Sequence, residues 1–270
     1  MSIKLIAVDM DGTFLNDAKT YNRQRFLSQY QRMREQDIRF VVASGNQYYQ
    51  LISFFPEIAH EISFVAENGG WVVSAGVDVF NCQLPKDHFH TVVDYLYTLE
   101  DIDIIACGKR SAWTLNRYND ALKTVAAKYY HRLQLVDDFA AIDDVILKFG
   151  LNVPDRLIPH LQPQLHAALG AMVTAVATGY GSIDLIIPGI HKANGLRILQ
   201  ERWGIDNHEV VAFGDSGNDI EMLQHAGFGF AMANAAAPVK AVAGYDAPHN
   251  NEEGVLHIID KVLNREAPFA

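Results

Sequence analysis

The chain reads as an α/β protein, a doubly wound and mostly parallel sheet interrupted by an inserted α+β module. Three observations predict this. Short continuous apolar runs, such as Leu5-Ile6-Ala7-Val8 and Val210-Val211-Ala212-Phe213, close on Asp or Gly turn signals, as strands buried on both faces do. Segments of helical spacing separate such runs up to about residue 82 and again from Pro188, the alternation that builds a parallel sheet. Between those points the rhythm changes to helix over 88–99, strand over 102–106, helix over 121–130, strand over 145–151, helix over 157–169 and strand over 183–187. The expected organisation is therefore a core made of 1–82 and 188–270, with 83–187 inserted as a separate α/β unit.

In chain order, the first strand runs straight into Asp9-Met10-Asp11-Gly12-Thr13. Extended backbone sends Asp9 and Asp11 to the same side, Gly12 permits a sharp turn, and Thr13 adds a hydroxyl. Two carboxylates side by side persist only with a cation between them or a shared proton. Held by Mg²⁺, such a pair supplies one oxygen nucleophile and one acid/base, a kit for phosphoryl transfer; a solvated Asp-Gly turn is the plain alternative. Phe26, Leu27, Tyr30 and Met33 then mark an amphipathic helix over 21–36.

A second strand, 38–43, leads into Ser44-Gly45-Asn46 and a helix over 47–55 stopped by Pro56. Strand, Ser-Gly, helix can hold a phosphate on a backbone N–H and the Ser44 hydroxyl, although taken alone Ser44 is better explained as the cap of that helix. The third strand, 62–66, ends at Glu67-Asn68-Gly69-Gly70, where Asn-Gly predicts a tight hairpin turn with 71–73 and 77–80 as its arms. After the insertion, His191-Lys192-Ala193-Asn194-Gly195 opens a helix through Leu196, Leu199 and Trp203. The strand 209–214 ends in Asp215-Ser216-Gly217-Asn218-Asp219, followed by a helix from Ile220, a strand over 228–232 and a C-terminal helix introduced by 250–255.

Composition excludes several classes. A net charge of −10 over 270 residues argues against bulk affinity for nucleic acid or anionic membrane, so a phosphorylated substrate would need cations placed in its site. Cys82 and Cys107, the two cysteines, stand outside any Cys-x-x-Cys, which disfavours a zinc site or disulfide scaffold and suits a reducing cytoplasm. Met1-Ser2-Ile3-Lys4 carries no signal-peptide pattern, and no obligate protein partner is evident.

Parallel sheets bring strand ends to one edge, so Asp9/Asp11, Ser44, Lys192 and Asp215/Asn218/Asp219 can converge. This set, in this order, resembles the four motifs of the haloacid dehalogenase superfamily. The insertion between the second and third motifs is similar to the α/β cap of its Cof-type branch, subfamily IIB, and residues 42–56 resemble sugar phosphatases of that branch. Asn46 departs from the pattern, since many relatives carry Arg after the Gly. The resemblance implies a Mg²⁺-dependent phosphatase of small phosphorylated sugars. Asp9 would attack phosphorus, and Asp11 would protonate the leaving oxygen and later take the proton of the hydrolytic water. The metal would sit on Asp9, the backbone carbonyl of Asp11, and Asp215. Met10, Ser44, Gly45, Lys192 and Asn218 would bind phosphate or substrate, with Thr13 and Asp219 in support, Asp219 orienting Lys192 or a metal-bound water. The cap would close as a lid, with Tyr180 and Asp184 at its edge against the sugar, and a mostly solvent-lined pocket would allow a broad substrate range. His191 is expected to begin a helix and face solvent. The alternatives are a phosphosugar mutase with the same intermediate and a phosphate-accepting receiver domain.

Overall fold

The computed structural model describes residues 2–179 and 181–270. Its first sheet takes β1 (Leu5–Val8), β2 (Arg39–Ala43), β3 (Ser63–Ala66), β4 (Trp71–Ser74) and β5 (Val77–Asn81) from the early chain. The second sheet takes β6 (Asp103–Gly108), β7 (Ala112–Leu115), β8 (Leu133–Val136), β9 (Ile146–Asn152), β10 (Thr174–Gly179) and β11 (Ser182–Ile186). The chain then returns to the first sheet with β12 (Val210–Gly214), β13 (Phe228–Met232) and β14 (Tyr245–Ala247). The first sheet has the order β14-β13-β12-β1-β2-β3-β4-β5 and the second β10-β11-β9-β6-β7-β8.

From β14 to β3 every pairing in the first sheet is parallel; β4 and β5 extend it antiparallel. β1 and β12 are fully buried along their length, which explains their unbroken apolar sequences. From β1 the chain proceeds through helix α1 (Arg23–Glu35) to β2 on one side, whereas β12 leads outward to β13 on the other. Right-handed crossovers in opposite directions place helices on opposite faces. The junction of β1 and β12 is thus the switch point of the sheet, where open α/β sheets hold their ligands.

The remaining helices are α2 (Tyr48–Leu51), α3 (Lys86–Leu96), α4 (Asp120–Tyr129), α5 (Ile158–Leu169), α6 (Lys192–Trp203), α7 (Ile220–His225), α8 (Ala237–Lys240) and α9 (Gly254–Asn264). α1 packs on α9, and α6 packs on α7 and β3. Phe14, Phe26, Phe40 and Phe55 form an aromatic cluster in the core around the first sheet. A second core, with Phe89, Phe139, Phe149 and Leu185, belongs to the other sheet. Among the described residues no helix is long and apolar enough to cross a membrane.

Three local expectations need correction. The Asn68-Gly69 turn joins β3 to β4, and the β4–β5 hairpin turns at Ala75-Gly76 instead. Asn68 adopts φ 55°, ψ 33° within a short 3₁₀ turn, Glu67–Gly69, so its left-handed preference serves the earlier connection. The helix expected over 47–55 is the four-residue α2 followed by a 3₁₀ turn, Ile52–Phe54. β7, β8 and β10 were not expected as strands: the first two have four residues each, and β8 and β10 lie at the edges of their sheet, where burial imposes little pattern.

Candidate active site

Asp9 follows the last residue of β1, and its amide continues the ladder to Phe213 O at 3.1 Å. The loop after it folds back, with Thr13 and Leu15 amides on Met10 O at 3.3 and 2.9 Å. Gly12 is required here: its φ is 76°, and a Cβ would meet Asp215 Oδ2 at 2.5 Å. Asp215 arrives from the end of β12 and accepts the Thr13 hydroxyl at 3.1 Å. Lys192 heads α6, behind an N-cap His191 whose Nδ1 accepts the Asn194 amide at 3.2 Å. That histidine is half-buried and acts as a cap.

The Lys192 ammonium, 1% exposed, reaches Asp9 Oδ1 at 2.7 Å and Asp219 Oδ1 at 2.6 Å. Asp219 is fully buried, and its Oδ2 accepts the Asp215 and Ser216 amides, both at 3.0 Å. Carboxylate oxygens of Asp9, Asp215 and Asp219 lie within 4.8 Å of one another. Three carboxylates against one ammonium leave two negative charges in a dry place. Burial pushes the Asp9 carboxyl well above its ordinary range; Lys192 opposes this, while Asp219 and Asp215 add to it. Burial, and next the Asp219 charge, raise Asp215 to about 7. Burial alone would lower Lys192, but the carboxylates of Asp219 and Asp9 turn the balance into a rise. An all-oxygen donor set of this charge fits a hard divalent cation such as Mg²⁺.

Above this floor opens a cavity of about 490 Å³ lined by Asp9, Asp11, Ser44, Gly45, Asp215 and Asn218 of the predicted set. Lys192 and Asp219 stand behind Asp9, and Thr13 stands behind Asp215. Met10 is fully buried in the core, which leaves only its main chain to meet a ligand. Ser44 is not the cap of α2, which begins after Gln47; its hydroxyl accepts the Asn46 amide at 3.2 Å. The opposite wall belongs to the second sheet and α4 and includes Ile105, Leu122, Val125, Ala126, Tyr129 and Leu151. This corrects the expectation of a mostly solvent-lined pocket.

The chain matches the haloacid dehalogenase-like hydrolase family over residues 6–259. It belongs to that family. Among its relatives is the 5-amino-6-(5-phospho-D-ribitylamino)uracil phosphatase YbjI of Escherichia coli strain K12, 68% identical over 269 residues that cover 100% of this chain and 99% of the relative. The phosphatase of the same description from Bacillus subtilis strain 168, YitU, is 26% identical, covering 96% and 97%. The solved structure of SMU.1108c from Streptococcus mutans UA159 superposes with a TM-score of 0.94 at 34% identity, covering 97% of this chain and all of that one. The family and its named phosphatases make this haloacid dehalogenase-like chain a phosphoric monoester hydrolase.

Several residues at the site escaped the sequence reading. Asp11, the second acid, meets Lys19 through Oδ1 and Asn46 Nδ2 through Oδ2, both at 2.6 Å. Deeper in the seam between the sheets, Lys148 on β9 reaches Asp184 Oδ2 on β11 at 2.7 Å and Gly45 O at 2.7 Å. Glu67 Oε2 lies 3.4 Å from the same ammonium, an ion-pair contact without hydrogen-bond geometry. Asn68 Nδ2 donates to Asp184 Oδ2 at 2.5 Å, and Asn68 Oδ1 accepts from Asn218 Nδ2 at 2.8 Å. A hydrogen-bonded chain thus runs from the second sheet to the cavity floor. Gln47 adds a two-way link, donating to Arg132 O at 2.8 Å and accepting its amide at 2.9 Å. Asp184, expected at the sugar, does line the cavity, although it is 4% exposed and engaged by Lys148 and Asn68. Tyr180 lies outside the described residues.

Proposed function

We propose that this hydrolase is a Mg²⁺-dependent phosphatase of small phosphorylated sugars and sugar alcohols, working through a phosphorylated Asp9. The reading rests on one observation: a buried ammonium shared by Asp9 and Asp219 at the switch point of the sheet, behind a cavity that Asp9 and Asp215 line. Asp9, Asp215 and the main-chain carbonyl of Asp11 would hold the ion. Asp219 is already engaged by Lys192 and two amides, which suits it to orient Lys192 rather than to ligate. The bound ion supplies charge neutralisation at the phosphoryl oxygens.

An Asp9 oxygen attacks phosphorus as the ester P–O bond breaks, and Asp11 gives its proton to the departing alcohol oxygen. Water then attacks the Asp9-bound phosphorus, Asp11 takes the water's proton, and inorganic phosphate leaves with the Asp9 carboxylate restored. Lys19 and Asn46 hold the two Asp11 oxygens at the cavity wall. Ser44, the Gly45 amide, Lys192, Asn218 and the Met10 main chain would bind the phosphoryl oxygens, with Thr13 fixing Asp215. Residues 83–187 act as the lid that excludes bulk water. The two free, buried cysteines, Cys82 and Cys107, suit a cytoplasmic setting.

The substrate named for the Escherichia coli relative is the first to test. Phosphate release from 5-amino-6-(5-phospho-D-ribitylamino)uracil, pentose and hexose phosphates and nucleotides is measured with Mg²⁺ or with EDTA. Turnover that EDTA abolishes and excess Mg²⁺ restores is expected; absence of release from the whole panel would sink the reading.

The acids also set a pH dependence. In the metal-free protein Asp215 is raised from 3.8 to about 7, so between these values the native state binds more protons than the unfolded chain. Stability of the metal-free protein therefore falls as pH rises through this window. Ligation needs the carboxylates deprotonated, so the rise in Tm produced by Mg²⁺ is expected to grow steadily from about pH 5.5 to about pH 8. Thermal unfolding with and without Mg²⁺ measures it, and a pH-independent increment would remove Asp215 from the ligand set.

A further inference from the structure

The short turn Glu67–Gly69 after β3 sits where the pieces of the site meet. All three of its residues take left-handed backbone, with φ 51°, 55° and 94°, a conformation that non-glycine residues keep only where their surroundings hold it. The Glu67 and Asn68 amides donate to Asn46 O at 3.2 Å and to Ser44 O at 3.0 Å. A Cβ on Gly69 would run into the carbonyl oxygen of His191, the residue before Lys192. Asn68 is 1% exposed, and its side chain bridges Asp184 on the second sheet to Asn218 on the cavity floor. Gly45 packs against that bridge: a Cβ there would lie 3.1 Å from Asn68 Oδ1 and 3.3 Å from Asp184 Oδ2.

The donors along this bridge all run one way. Lys148 has only hydrogens to give and the Asp184 carboxylate beside it only oxygens, so Asp184 Oδ2 takes both the Lys148 ammonium and Asn68 Nδ2. That leaves Asn68 Oδ1 for Asn218 Nδ2 at 2.8 Å, and Asn218 Oδ1 for the Ser216 hydroxyl at 2.7 Å. A serine hydroxyl serves as donor or acceptor, so the Ser216 end does not fix which way the Asn218 amide points. Asp184 fixes it. We propose that Asn68 is a positioning residue that carries the acceptor character of Asp184 across to Asn218, so that Asn218 meets a phosphoryl oxygen with its second N–H and not with its carbonyl oxygen. The inference rests on the phosphatase reading and deepens it. Turned over, Asn218 would set an acceptor against an anion and leave the buried Asn68 Oδ1 without its donor. The left-handed turn by itself accounts for an Asn at this position, but it makes no demand on where the amide points.

Asn68→Gly separates the two roles, because glycine takes left-handed backbone freely while the bridge is lost. Two quantities are measured with Mg²⁺: kcat/KM for the ester of the panel above that is hydrolysed fastest, and the inhibition constant of inorganic phosphate. Wild type, Asn68→Gly, Asn218→Ala and the double variant are compared at a temperature where circular dichroism shows each folded. Asn68→Gly is expected to lower kcat/KM and to weaken phosphate inhibition by about 10-fold or more each, the scale of one hydrogen bond to a charged group. The double variant should match Asn218→Ala within about 3-fold, since both changes remove the same contact. A merely structural Asn68 would instead multiply its loss onto that of Asn218→Ala. Such multiplied losses, or wild-type kcat/KM and phosphate inhibition in Asn68→Gly, would overturn the relay. Wild type provides a second readout that does not depend on the variant folding. The side-chain NH₂ resonances of Asn218 in ¹⁵N-labelled protein, assigned by their loss in Asn218→Ala, are expected to shift on titration with inorganic phosphate and Mg²⁺. Resonances that stay in place while phosphate inhibits would overturn the relay as well. Release from no phosphate ester by wild type would instead fail the underlying reading.

Discussion

Replacing Asp9 by asparagine is expected to lower Mg²⁺-dependent phosphate release by on the order of 10⁵-fold, the scale of losing a nucleophile. An amide oxygen cannot form the phosphorylated intermediate, and neither Asp215 nor Asp219 can replace it, one being tied to Thr13 and the other to Lys192 and two amides. The fold should survive, which separates chemistry from stability. Asp9 is 5% exposed, and burial dominates the rise in its pKa. Removing its charge relieves that cost, while Asp219 still partners Lys192 at 2.6 Å. At about pH 8 without Mg²⁺, the variant should therefore melt no lower than wild type, and its Mg²⁺-induced increment should shrink. Turnover above about 1% of wild type would sink the nucleophile assignment, on the same scale of loss.

Three of the residues legible in the sequence share one property: each stands at the end of an apolar run. Asp9, Ser44 and Asp215 interrupt hydrophobic strands where the chain must turn, so their chemistry shows against a plain background, and the parallel sheet collects them. Lys148 and Asp184 have the opposite setting. Each lies inside an apolar run, Val145-Ile146-Leu147-Lys148-Phe149 and Ile183-Asp184-Leu185-Ile186; Lys148 reads simply as part of a strand, and Asp184 is expected at the sugar rather than in an ion pair. A lone charge in such a run is itself a signal, because Lys and Asp are almost never fully buried without a partner. The β9–β11 register pairs Asp184 with Gly150 and Ile186 with Lys148, so the two charges are diagonal neighbours. No local pattern predicts that pairing. The α4 residues of the cavity wall are illegible for a related reason, since helical periodicity marks an apolar face without saying what covers it. Asn46 stood out as a departure from the family pattern, but its bond to Asp11 spans 35 residues, beyond the reach of local reading.

Lys148→Met carries the largest expected cost in stability. The substitution keeps an apolar stem of similar reach and deletes the charge that faces Asp184 at 2.7 Å and Glu67 at 3.4 Å, both almost fully buried. Leaving buried charge without its partner costs about 3–5 kcal/mol, which for a chain of this size is a fall in Tm of about 10 °C. The loss should depend on pH in a defined direction. Burial raises Glu67 from 4.5 to about 7, Lys148 opposing the rise, so without Lys148 this carboxyl stays protonated to still higher pH. A group whose native pKa is raised contributes stability that falls as pH climbs from the unfolded value through the native one. The variant should thus lose more against wild type at pH 8 than at pH 5.5, and Asp184→Asn in the same chain should recover part of the loss. Activity should fall as well below the melting range. Lys148 also holds Gly45 O, and Asp184 is linked through Asn68 to Asn218. A displacement of about 1 Å at a phosphate-binding group is enough for a loss on the order of 10²-fold. Thermal melts and phosphate-release assays of the single and double variants decide the matter. A Lys148→Met protein with wild-type Tm would show that the seam between the two sheets does not depend on this ammonium and is held by its apolar contacts and its other polar links, Gln47–Arg132, Tyr49–Lys109 and Lys109–Asp78 among them.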